Sequence, residues 1–286
     1  MRSRRRVAAA VAVAVTCVAA TSALPAPSAE PARRCPREMV DTGRVCIDRY
    51  EASMVDTTTG QPLSPYYPPD PVASRRVRLV WEVERRSVGD EAARDLALPD
   101  LPAWQRTHDF SPRAVSVSGA VPQAYVSHAL AKAACAAAGK RLCAHDEWVH
   151  ACRGASRRRF PYGAEWEAGR CNTNRARHPA AILHGSASLG LLDPRLNLVH
   201  EGAAPLLERT GARPACASAW RGDRAFDLVG NLDEWVDDEK PAFVGGFYAR
   251  AGRKGCDARI SSHAPAYFDY STGARCCRDR RAARAR

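Results

Sequence analysis

Cysteines are the residues of this 286-residue chain best placed to do chemistry, and their spacing limits what that chemistry is. Of eleven, Cys17 stands apart in an apolar N-terminal stretch, and the rest run from Cys35 to Cys277. The remaining ten are an even number, as a complete set of disulfides requires. Zinc would favour CxxC pairs; none is present, and adjacent Cys276 and Cys277 suit two separate bridges better than one metal. His145 and His150 are five apart, whereas an HExxH helix needs its histidines four apart to face one ion. Asp233, Asp237, Asp238 and Glu239 make a local acid group, of which all read as a solvated turn. Trp148 and Trp235 read as core residues. No nucleophile elbow, phosphate loop or Ser-His-Asp signature is visible.

The elements that must position these groups are short. Glu51 to Ser118 is rich in proline and charge, with a strand expected at Val77 to Val83 and a helix at Asp90 to Leu96. Ser127 can cap a helix that runs through an alanine-rich stretch to Gly139. Another helix starts near Ala144, with Asp146 and Glu147 in its first turn, where carboxylates oppose the helix dipole favourably. Beyond Gly154 glycine, proline, asparagine and arginine interrupt every run. The expectation is one loop-rich α+β domain, Cys35 to Cys277, without internal repeats.

Arg2, Arg4, Arg5 and Arg6 precede an apolar run from Val7 to Ala20, and small residues follow to Ala23. This reads as an export signal over 1–23, extending to 29 at most, by either the general or the twin-arginine route. The run is shorter than the roughly 20 residues a membrane helix needs, and no later stretch is long and apolar enough. Residues 24–34 read as a linker. Without the signal's four arginines, 39 basic residues face 31 acidic ones, a formal charge of +8. Five arginines crowd the basic tail 278–286. With no recognition motif or basic-aromatic stripe, the charge does not point to nucleic acid. The expected destination is periplasmic or extracellular, where disulfides persist.

Several strings occur in a telling order: ACAAAGKRL from Ala134 to Leu142, Asp146-Glu147-Trp148, Ala151-Cys152-Arg153-Gly154 and Phe160-Pro161-Tyr162-Gly163. Val229-Gly230-Asn231-Leu232-Asp233-Glu234-Trp235, Val244-Gly245-Gly246 and Gly273-Ala274-Arg275-Cys276 follow. Over about residues 115–277 the chain resembles the formylglycine-generating enzymes, the sulfatase-modifying factor family, whose superfamily also includes partners of iron-dependent sulfoxide synthases. The resemblance implies a loop-rich, disulfide-stapled fold related to the C-type lectins. It also implies that Cys135 pairs with Cys276 and Cys152 with Cys256. Sequence order alone suggests Cys35 with Cys46, Cys171 with Cys216, and Cys143 with Cys277.

The resemblance further implies a calcium site at Asp227, Gly230, Leu232 and Glu234, since oxygen ligands in a turn suit a hard cation. A second family calcium site would use Asn172 and Thr173, but its downstream acidic ligand has no counterpart here. Active family members hold copper(I) on two cysteines after a Gly-Gly-Ser string, thiolates suiting that soft ion. Here the serine position is Phe247 and the cysteine positions fall near Arg250 and Gly255, so copper is not expected. Shifting the local deletion would bring Cys256 to a copper position without a partner. Two readings follow. One is a secreted pseudoenzyme that keeps the scaffold and calcium and binds a peptide, glycan or envelope protein in a groove made basic by Arg250, Arg253, Lys254 and Arg259. The other is a metal-dependent oxidase of the same family, acting on cysteine peptides or in a related oxidation.

Overall fold

Short elements follow one another because each apolar run is soon broken by glycine, proline or asparagine. The computed structural model describes residues 34–282, all within one compact unit; the expected signal, Cys17, most of the linker and the end of the tail lie outside these residues. Strands β1 (Met39–Asp41), β2 (Val45–Asp48) and β3 (Ala52–Asp56) lead into helices α1 (Pro71–Glu84), α2 (Glu91–Asp95) and α3 (Ala103–Thr107). After β4 (Pro112–Ser116) come α4 (His128–Ala137), β5 (Arg141–Leu142), α5 (His145–Arg153) and α6 (Pro179–His184). The remainder is β6 (His200–Glu201), β7 (Ala204–Pro205), β8 (Ala217–Trp220), β9 (Asp223–Phe226), β10 (Asp233–Val236), β11 (Ala242–Val244), β12 (Arg259–Ile260), β13 (Thr272–Ala274) and β14 (Cys276–Asp279). Single 3₁₀ turns lie at Leu196–Leu198 and Gly252–Asp257.

Two four-stranded sheets carry the fold. One has the order β1-β2-β14-β5 and is antiparallel throughout; the other runs β12-β11-β10-β13, with β10 and β13 parallel. β10 is buried at every residue, as a central strand covered on both faces requires. Trp148 and Trp235 are wholly buried. Trp148 packs in one core cluster with Ile47 and Val244, Trp235 in another with Phe243 and α4 residues.

The helix expected at Asp90 to Leu96 forms as α2, and those expected after Ser127 and near Ala144 form as α4 and α5. Ser127 caps α4 by accepting from the Leu130 N–H, and Glu147 reaches back to the Ala144 N–H. The strand expected at Val77 to Val83 is instead the end of α1. Asp70 accepts the Ala73 N–H, Pro71 opens the helix, and Val77 and Trp81, four apart, face inward. Those cap residues outweigh the valines' strand preference.

Five disulfides close: Cys35–Cys46, Cys135–Cys276, Cys143–Cys277, Cys152–Cys256 and Cys171–Cys216. They are the pairs that resemblance and sequence order indicated. Three span more than 100 residues, so they restrict the unfolded chain far more than the short Cys35–Cys46 loop does.

Candidate functional site

Gly245 and Gly246 turn the chain out of β11. Both have positive φ, and a Cβ on Gly245 would lie 2.7 Å from the Leu228 carbonyl and 3.1 Å from the Trp148 ring. Only glycine fits there. Phe247 and Tyr248 then turn inward, and the Arg250 guanidinium sits 4.9 Å from the Phe247 ring.

Arg250 also donates to Asp233 Oδ1 at 2.6 Å. Asp233 lies on β10 and is buried, not in a solvated turn as expected from its acidic neighbours. Burial pushes its carboxyl up to about 7, opposed by Arg250, while Asp269 adds to the rise. Of those neighbours Asp237 pairs with Lys132 and His128, Asp238 accepts from the His145 N–H, and Glu239 is exposed.

Asp269 flanks the same loop. It accepts from Ser271 Oγ at 2.7 Å and from the Tyr267 hydroxyl at 2.5 Å, and burial followed by the Asp269 charge holds the Tyr267 phenol well above its ordinary range. His263, exposed, packs on Tyr267 with ring centroids 4.0 Å apart. Tyr270 meets His178 Nε2 at 2.6 Å, and burial lowers the pKa of that imidazole. The loop thus presents a guanidinium beside an aromatic step, with two buried carboxyls beneath.

The four cations expected to line a groove have different neighbours. Arg250 is held on Asp233, Arg253 lies 4.6 Å from the Trp166 ring, and Arg259 donates to Asp238 and the Lys240 carbonyl. Lys254 is exposed. Gly255 is buried, and a Cβ there would lie 2.5 Å from the Arg159 carbonyl. Near Arg250 and Gly255, where the resemblance would put two thiols, there is no free cysteine, and Cys256 is bonded to Cys152, so the donors present do not fit copper(I).

Glu234 occupies a different environment. Arg275 donates to its two oxygens at 2.8–3.0 Å, and Trp148 Nε1 donates to Oε2 at 2.6 Å. Arg275 reaches on to the Asp48 and Phe226 carbonyls. Asp227, in the left-handed region, accepts the Gly211 N–H, and its carboxyl is pushed up to about 6 by burial. Glu51 accepts from Asn231 Nδ2 and the Leu232 N–H, and its pKa is raised by burial and by the charges of Asp227 and Glu234. Calcium at Asp227, Gly230, Leu232 and Glu234 would have to displace the Arg275 guanidinium, which already neutralises Glu234. As arranged, these residues do not fit the ion. Asn172 is likewise engaged, donating to Leu206 and Asn231 and accepting from Arg175, while Thr173 covers Gly230 and Gly252.

Sequence reasoning missed Glu51, Asp269 and the role of Arg275. Arg275 stood in plain view in the Gly-Ala-Arg-Cys string, where only the cysteine had been used. Glu51 carries no local signal, because its partners Asn231 and Leu232 lie far away in sequence, whereas Asp269 bonds its neighbours Tyr267 and Ser271 and forms no motif of its own.

The fold, the Gly-Gly turn and the buried Glu234–Arg275 pair define a disulfide-stapled α+β domain of the sulfatase-modifying type. A family model described as the sulfatase-modifying factor enzyme 1-like domain matches residues 101–280, and the chain belongs to this family. It is similar to the solved structure of PvdO from Pseudomonas aeruginosa, at 16% identity and a TM-score of 0.38, covering 82% of this chain and 80% of that one. It is also similar to the crystal structure of CarF, at 14% identity and a TM-score of 0.36, covering 82% and 86%. No curated protein sequence matches significantly.

Proposed function

We propose that this is an exported, non-oxidising member of its family, which binds a peptide, glycan or envelope protein through the loop after Gly246. What supports the reading is an ion pair and a disulfide in the segment where the resemblance would put a thiol pair. Arg250 stands at the first cysteine position, anchored on buried Asp233 and stacked on Phe247, while Cys256 is bonded to Cys152. Arg250, one-third exposed, offers a fixed positive charge on the Phe247 ring, close enough for its charge to act on Tyr267. That combination favours a ligand with an anionic group next to a ring or sugar face. Five disulfides support an oxidising destination, periplasmic or extracellular. No helix among the described residues is long and apolar enough to cross a membrane.

The test has two arms. Supplied with copper(I), oxygen and a sulfatase-type cysteine peptide, the protein should yield no formylglycine, and turnover would overturn the non-oxidising reading. On arrays of acidic peptides and acidic glycans it should retain a subset of spots, and the Arg250→Ser variant should lose them. Retention unaffected by that substitution would remove the loop as the binding site.

A further inference from the structure

A recess of about 440 Å³ opens where α2, α6 and the chain entering β6 meet, built from residues the Gly246 loop does not supply. Its floor is aliphatic: Ala93 of α2 and Leu96 just after it, Ile182 and Leu183 of α6, and Leu198 and Val199 ahead of β6. Ala93, Leu183 and Val199 are buried and belong to one core cluster, whereas Leu96, Ile182 and Leu198 are half-buried, as walls open to solvent are.

The shape is fixed from below. Gly89 has positive φ, and a Cβ there would lie 2.0 Å from the Leu183 carbonyl, so the chain leading into α2 lies directly against α6. Arg195, wholly buried, is held by Asp193 at 2.7 Å and donates to the Ala93 and Leu96 carbonyls, which ties α2 to the turn before β6. A ligand would meet a preformed wall and lose little free energy in ordering it.

Polar lining comes from Asp90, Arg177 and His200, all exposed. Asp90 is engaged, its Oδ1 accepting the Ala93 N–H at 2.9 Å. Arg175, two residues before Arg177, is paired with Glu201 and Glu208. Arg177 itself has no ion-pair or side-chain hydrogen-bond partner among the described residues. An aliphatic floor with one unpaired guanidinium at its edge suits a hydrocarbon body carrying a single oxyanion. A sugar or peptide chain would leave hydroxyls or amides on that floor without partners, which is costly. A polyanion would bring several charges to one cation.

We propose that this recess binds a free, straight-chain, medium-length fatty acid, with the chain along the floor between α2 and α6 and the carboxylate on Arg177. Binding here is separate from the Arg250 loop, so loss of one leaves the other intact.

The experiment titrates the mature protein calorimetrically with decanoate, below its micelle-forming concentration, and with octanoate, decanol and decylamine. Decanoate should bind saturably at one site, and octanoate more weakly by on the order of tenfold, the loss of two buried methylenes. Arg177→Gln should weaken decanoate on the order of tenfold and leave decanol within about twofold; Arg106→Gln, which removes the same charge from an exposed position on α3, should leave both within about twofold. Decanol or decylamine binding as tightly as decanoate, equal effects of the two variants, or no saturable binding of decanoate would overturn the proposal. So would a stable dimer that excludes decanoate, because the recess would then be an interface between copies of the chain.

Discussion

Two ion pairs start from adjacent carboxylates of β10 and do different work. Glu234 and Arg275 join β10 to the start of β14 and are closed off by Trp148 and by backbone carbonyls on both sides. Asp233 and Arg250 join the same strand to a loop, with Arg250 still one-third exposed. The first pair lies within strings that carry the family resemblance. The second takes the place where that resemblance would put a reactive thiol. One pair therefore ties strands of the sheets together, while the other holds a loop cation at the surface.

Breaking the scaffold pair should have the largest effect. Arg275→Ala leaves Glu234 buried without a counter-charge and two carbonyls without donors, so the cost should be about 3–5 kcal/mol, with loss of the folded state on thermal melting. Removing the Cys152–Cys256 bridge with paired serines should follow, at about 2–5 kcal/mol, read as a lower melting temperature. Arg250→Ala, in contrast, should lower stability less than Arg275→Ala, because its guanidinium is reached by water; a larger loss would erase the distinction between the two pairs.

Acid–base behaviour sharpens the same comparison. Burial raises Asp48 and Asp227 to about 6 and Asp233 to about 7, whereas unfolded aspartates titrate near ~4. Between roughly pH 4 and 7 the folded state then holds more protons than the unfolded one, so stability contributed by these groups is lost as pH rises through that window. Melting temperatures should fall between about pH 4 and pH 7, and Asp233→Asn should flatten the fall without abolishing it. A melting temperature that rises over the same interval would contradict the assignment.

The smallest effect is expected on the outer face of α1. Leu79 and Val83 are 65% and 69% exposed, so lysine at either position should change stability by no more than about 0.5 kcal/mol, whereas Trp81→Ala, on the inner face, should cost several times more. Equal losses would mean the outer face is covered in solution.

What the sequence made legible was the part set by local rules. Ser127 announced a cap and Gly139 a stop; the resemblance indicated the Cys135–Cys276 and Cys152–Cys256 bridges, and cysteine order the other three. The helix at Pro71–Glu84 was missed because a run containing Val77, Leu79, Val80 and Val83 looks strand-like unless Asp70 and Pro71 are weighed as a cap. The candidate site was legible only as a substitution, Arg250 in place of a cysteine. That its partner would be Asp233, buried and 17 residues upstream, follows from the hairpin of β10 and β11 and from no local pattern. Arg275 as the partner of Glu234 depends on the parallel pairing of β10 with β13, which sequence periodicity does not reveal.

The central claim is that the loop after Gly246 has no thiol chemistry because its cysteine is spent in a bridge. Alkylation of the oxidatively folded mature protein under denaturing conditions, followed by intact-mass measurement, tests it directly. All ten cysteines from Cys35 to Cys277 should be protected, with Cys152 and Cys256 recovered in one linked peptide. Two free thiols, one of them Cys256, would contradict the account and return the loop to copper chemistry.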